Sequence, residues 1–287
     1  MPSPSGSPRE VPSEAAYSCG NNTPWVRAQA ALGLRSVILI FQYEQYRSFL
    51  ENISGRLAIT TFRDWDGSNG LLLRHDVDFD LIAAHRLAMV EQAYSVPATY
   101  FVMVTSAAYN PMSPRNRGIL HEMAQMPLEI GLHFDPSIYG VKPLEDLLPY
   151  VAEEAAVIQS ITQRPIDSVS IHNPSVHNQY VLFPGYRNAY DPKIFNPELY
   201  LSDSRMVFSR DVIDFAERAN TSAIQVLLHP LHFTEEGDAY PEIACRLVAQ
   251  FANELDATFR VNSTYASLMP TDLLSMVRGN REFEGPE

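Results

Sequence analysis

Apolar and polar positions follow two rhythms along this chain. Tyr46, Phe49, Leu50 and Ile53 recur at helical spacing, and LAITTF (57–62) then reads as a strand. LLLRHDVD (71–78) is an apolar strand that stops at carboxylates, and LIAAHRLAMVEQAY (81–94) has the period of an amphipathic helix. ATYFVMV (98–104) is apolar at almost every position, as expected of a strand covered on both faces. The pattern continues with helix GILHEMAQM (118–126), strand LEIGLHF (128–134), a helix over 144–161 and strand SVSIHNP (168–174). Strand YLSDS (200–204), helix RDVIDFAERAN (210–220), strand AIQVLLHP (223–230) and a helix over 241–259 complete it. Strand and helix exchange at least five times, which predicts parallel βαβ units in a barrel or a doubly wound sheet.

Two ends and one connection break this cadence. Residues 1–24, rich in Pro, Ser and Gly, read as a flexible arm, and 277–287 as a frayed tail, leaving 25–276 as a single α/β domain. The stretch 174–200 is the one long irregular connection, and its aromatic residues argue for a packed wall of a site. His177, Tyr186, Asn188, Tyr190 and Asp191 lie there and suit either a sugar, whose faces stack while its hydroxyls form hydrogen bonds, or simple packing of the loop itself.

Composition narrows the classes of partner. With 46% hydrophobic and 19% charged residues the chain is globular, and a formal charge of −13 disfavours nucleic acid and anionic membrane surfaces. Cys19 and Cys245 are too few for a disulfide framework or a thiolate zinc site. No segment has the charge and hydropathy of a secretion signal or a membrane span, so the expectation is a cytoplasmic protein, and the aromatic and amide groups of 174–200 make a small-molecule or carbohydrate substrate the expected partner.

Four apolar strands end in titratable or amide groups: Asp76 and Asp78, His133 and Asp135, His172 and Asn173, His229 and His232. In a parallel α/β sheet or barrel all C-terminal strand ends face one side, so these groups converge. Each alone has an ordinary structural explanation, such as helix capping, which is assigned to Asp80. Burying several together is costly unless a cation compensates, and imidazole with carboxylate and no thiolate suits Zn²⁺, or Fe²⁺, Co²⁺ or Ni²⁺. Asp76 and Arg74 are on one face of their strand and His75 on the other, so Arg74 can keep Asp76 ionised while His75 is structural.

The order of an acidic strand end, GLHFD, SIHNPS, SDSR and LLHP, over about 70–235, resembles the polysaccharide deacetylase superfamily, carbohydrate esterase family 4 with its nodulation-type deacetylase domain, in a branch carrying RHDVD. The resemblance implies a distorted (β/α)7 barrel and a metal-dependent hydrolase that removes an N-acyl (acetyl) group from an amino sugar or sugar-containing metabolite with metal-activated water. It implies Asp76 as base, Asp78 and His133 as metal ligands and His229 as the acid that protonates the leaving amine. Ser137 stands where the family has its second histidine. His172 is assigned as the third ligand, with Asp135 and His232 as rivals. Asp203 is expected to orient catalytic groups, and Arg74, Asp135, Asn173, Tyr190, Asp203 and Arg205 form the expected substrate-binding set. The alternatives are an inactive deacetylase-like sugar or small-molecule binder and an amidase acting on a non-sugar C–N bond.

Overall fold

A computed structural model describes residues 41–177 and 180–279. The expected arm, residues 25–40 and the tail beyond 279 lie outside the described residues. Residues 277–279, assigned above to the tail, close the helix Leu273–Gly279.

Eight strands form one sheet: β1 (Ile59–Thr60), β2 (Gly70–Val77), β3 (Thr99–Val102), β4 (Glu129–Phe134), β5 (Ser168–Ile171), β6 (Arg187–Asn188), β7 (Tyr200–Ser202) and β8 (Ala223–Leu228). Their order is β6-β5-β4-β3-β2-β8-β7, with β1 beside the start of β2, and every pairing is parallel. The sheet curls into an incomplete barrel, the distorted α/β barrel expected from the sequence, and no ladder joins β6 to β7 among the described residues.

The strand expected over 57–62 is reduced to Ile59–Thr60, because β3 takes over beside β2 from Arg74 onward. Helices Leu81–Ala93, Pro114–Met123 and Leu144–Thr162 link successive strands and bury Leu87, Leu120 and Ile158 among the core residues. β2 is central and buried at every position, pairing with β8 over Gly70–His75 and with β3 over Arg74–Val77. Its C-terminal end is thereby fixed from both sides.

Small residues hollow the barrel beside β2. A Cβ on Gly131 would lie 2.7 Å from the Phe101 ring and 2.5 Å from Ser168 Oγ, so only glycine fits there. Ser168 and Ser170 are fully buried on β5. The space they leave holds the Arg74 side chain, which has no solvent exposure at all.

Candidate metal centre and catalytic cleft

The alternation of β2 sorts its polar residues. His75 points away from the site and meets Glu91 at 2.6 Å, a buried carboxylate that also accepts from Tyr46 and Tyr100. Arg74 and Asp76 face the barrel interior, where Arg74 donates through Nε and Nη2 to the two oxygens of Asp76 at 2.9 and 2.7 Å. Nη1 donates to Gln225 Oε1 (3.0 Å), Nη2 is also shared with Ser170 Oγ (2.5 Å) and Tyr190 Oη (3.0 Å), and the guanidinium lies 4.7 Å from the Tyr190 ring centroid. Burial alone would raise the pKa of Asp76, but the charge and hydrogen bonds of Arg74, together with the His133 and His229 imidazoles, outweigh it and keep the carboxyl below its ordinary range.

Asp78 follows β2 and faces His133 from β4 and His172 from the end of β5. His172 is held by its backbone N–H, which donates to Phe134 carbonyl at 2.8 Å and extends the β4–β5 ladder by one step. Asp78 Oδ1 lies 3.0 Å from His133 Nε2 and 3.4 Å from His172 Nδ1, and those two nitrogens are 3.1 Å apart. Asp78 Oδ1 is buried and has no hydrogen bond of acceptable geometry among the described residues. Three ligands about 2.0–2.2 Å from one tetrahedral ion are roughly 3.3–3.6 Å from each other, close to this triangle. The residues fit a small divalent cation: three convergent donor atoms, one of them a buried oxygen with no hydrogen-bond partner among the described residues. Burial disfavours the Asp78 anion, yet the two imidazoles hold its carboxyl well below the ordinary value.

The rival ligands lie elsewhere. Asp135 accepts from Ser137 N–H (2.9 Å) and Oγ (2.6 Å), capping the 3₁₀ turn Pro136–Tyr139, so the serine in place of the second family histidine is occupied locally. His232 turns to Asp203, its Nδ1 2.8 Å from Oδ2. Asn173, in the left-handed region at φ 45°, places its side-chain amide 2.8 Å from His172 Nε2. It is the amide nitrogen that faces Nε2 in this structure; a cation on Nδ1 would leave the proton on Nε2, and the amide would then turn its oxygen to accept it.

On the other side of Asp78 stands His229, its Nε2 3.7 Å from Asp78 Oδ2 and its Nδ1 2.5 Å from Asp203 Oδ1. Asp203, after β7, is wholly buried and also accepts the His229 backbone N–H at 2.8 Å. Burial works against a charged His229, but the Asp203 carboxylate prevails and its pKa is raised to about 9.

Asp78 and His229 open on a cavity of about 500 Å³, whose wall does not include His133 or His172. Asp76, Asp78, His229 and His232 line it together with Phe79, Leu231, Tyr240, Ser204 and Arg205. Arg205 and Met206 are both in the left-handed region (φ 64° and 55°), which costs non-glycine residues roughly 1–2 kcal/mol each.

Three residues expected to bind substrate are corrected by burial. Arg74 and Asp203 are fully enclosed and Tyr190 is 8% exposed, so Arg74 and Tyr190 support Asp76 and Asp203 supports two histidines. Arg205 alone of the expected substrate-binding set lines the cavity. Ser170 and Gln225, which the sequence reading missed, complete the shell around Arg74; a serine and a glutamine inside apolar strands are the signal that marks them. Phe79 and Tyr240 were also missed, and nothing in the local pattern distinguishes them.

No protein-family model matches this chain, and no curated protein matches it. Among solved structures it is similar to a mutant of BA3943 from Bacillus anthracis, described as a CE4 family pseudoenzyme with restored enzymatic activity, at 12% identity and TM-score 0.40, over 64% of this chain and 64% of that one. It is similar to peptidoglycan deacetylase PdaC from Bacillus subtilis at 16% identity and TM-score 0.40, over 64% of this chain and 85% of that one. A family 4 acetyl xylan esterase from Clostridium thermocellum, in complex with a cobalt ion, aligns at 17% identity and TM-score 0.37, over 63% and 82% of the two chains. The structures it is similar to thus include carbohydrate esterase family 4 proteins, the group its motifs resemble.

Proposed function

We propose that this protein is a metal-dependent hydrolase that removes an acetyl group from the nitrogen of an amino sugar or a sugar-containing metabolite. The observation that carries the reading is the triangle of Asp78 Oδ1, His133 Nε2 and His172 Nδ1, with Asp76 on one side and His229 on the other. Asp78, His133 and His172 would hold the divalent ion, zinc first among the candidates, which would supply a Lewis acid for the acyl oxygen and lower the pKa of water.

The protein's own groups divide the proton transfers. Asp76, kept ionised and fixed in angle by the two-pronged Arg74 contact, accepts a proton from the attacking water. His229 keeps its Nδ1 proton in a hydrogen bond to Asp203 and directs Nε2 toward the cleft, where the Nε2 proton passes to the departing nitrogen. Asp203, buried and ionised, balances the imidazolium before transfer. Phe79, Leu231 and Tyr240 offer apolar surface for sugar faces, and Arg205 and Ser204 offer donors at the rim.

The test is acetate release from a panel of soluble acetamido sugars, nucleotide-linked acetamido sugars and non-sugar acetamides by the metal-loaded protein. The reading expects release from at least one sugar acetamide and its loss in Asp76→Asn. Turnover confined to the non-sugar amides would replace the sugar assignment. A loaded protein that binds a sugar acetamide without hydrolysing it would make this a binding protein.

A further inference from the structure

We propose that His232 is a positioning residue, which locks the Asp203 carboxylate and thereby fixes the tautomer and aim of His229. This rests on the hydrolase reading above, in which His229 delivers a proton.

The aspartate is grasped on both oxygens. Oδ1 faces His229 Nδ1 at 2.5 Å, while Oδ2 accepts the His229 backbone N–H and His232 Nδ1, each at 2.8 Å. A carboxylate rotates through a broad χ2 well, and without His232 only the His229 backbone N–H would hold Oδ2 against that rotation. His232 narrows the freedom with a second donor on Oδ2. Asp203 has no solvent exposure, and water cannot take over the role of a missing donor without opening the packing.

His232 is itself held rigidly enough to act this way. It is 6% exposed, edge-on to Phe41 at 5.6 Å and against Tyr240 at 6.1 Å. The 3₁₀ turn Pro230–His232, closed by a 3.0 Å bond from His232 N–H to His229 carbonyl, sets the two imidazoles 5.2 Å apart. One short segment, HPLH, thus presents two Nδ1 donors to one carboxylate. With both oxygens occupied, His229 keeps its proton on Nδ1 after each transfer and presents Nε2 to the cleft. Without His232, the carboxylate turns, the imidazole samples its other tautomer, and a fraction of the protein is unable to donate.

The experiment compares His232→Leu with His232→Asn, two side chains of similar size, of which only Asn has an amide donor near the place of Nδ1. For the metal-loaded protein, His232→Leu is expected to lower kcat roughly 10–100-fold, the usual scale for groups that orient a ligand or catalytic histidine, with KM within about twofold. His232→Asn is expected to recover most of the loss. A second readout needs no turnover: ¹⁵N NMR of the imidazoles should show His229 as a single Nδ1–H tautomer in the neutral form of the unmodified protein and of His232→Asn, and as a mixture in His232→Leu. Equal kcat in His232→Leu and the unmodified protein, equal losses in the two variants, or an undisturbed tautomer in His232→Leu would overturn the assignment. If the unmodified protein hydrolyses nothing, the hydrolase reading fails while the NMR result still decides what His232 does. Thermal melting checks that both variants fold, and His232→Phe, which keeps the ring packing, replaces His232→Leu if it does not.

Discussion

Asp78 and Asp203 each stand between two histidines at the same end of one sheet, but they bind them differently. Around Asp203 each imidazole nitrogen points at its own oxygen, a backbone N–H adds a third donor, and no acceptor is left over. Around Asp78 the two ring nitrogens approach the same oxygen and each other within 3.0–3.4 Å, and that oxygen has no bond of good geometry. The first arrangement is complete as a hydrogen-bonded network, and the second has the geometry to hold a cation. One aspartate and two histidines therefore encode two devices, distinguished only by where their lone pairs converge.

The comparison is first sharpened at Asp76, between the two clusters. Asp76→Asn keeps the side chain's size but removes the proposed base and one of the two acceptors of Arg74, and kcat is expected to fall about 10²–10⁴-fold with metal content unchanged; acetate release and metal analysis check this together. Arg74→Leu leaves the buried Asp76 charge without a partner. It should cost about 3–5 kcal/mol of stability, read by denaturant unfolding. A smaller effect is expected at Asn173, beside His172 Nε2: Asn173→Leu should weaken metal binding roughly tenfold in competition with a chelator, because the imidazole loses the acceptor that fixes its tautomer.

Glu154 provides the smallest effect and a contrast to both aspartates. It is buried and accepts from Tyr139 at 2.6 Å, with no cation beside it, and burial pushes its pKa up to about 7. Its folded form therefore holds a proton that the unfolded chain releases near the ordinary value of about 4.5, so this group's contribution to stability falls as pH rises through that window. Glu154→Gln should gain stability relative to the unmodified protein on going from pH 5 to pH 8, by on the order of 2 kcal/mol, measured by melting at both pH values.

How much of this was legible in the sequence follows from what is local. β2, β4 and β8 were readable because apolar runs stop abruptly at Asp76, His133 and His229, and the parallel cadence places such ends together. The convergence of residues 78, 133 and 172 followed from that topology. The partners of Arg74 did not: Ser170, Tyr190 and Gln225 come from three separate segments, and their meeting depends on the register of β2 with β8 and on the hollow left by small residues on β5. His232 was open between two clusters because its distance from His229 along the chain fixes a shared turn but not the side chain that turn faces.

The most direct measurement is a metal titration of the unmodified protein, Asp78→Asn and Asp203→Asn, by calorimetry with elemental analysis, each variant first checked for folding. One divalent ion per chain is expected in the unmodified protein and in Asp203→Asn, and none in Asp78→Asn. Retention of the ion by Asp78→Asn together with its loss from Asp203→Asn, or no ion in any of the three, would contradict the distinction between the two clusters.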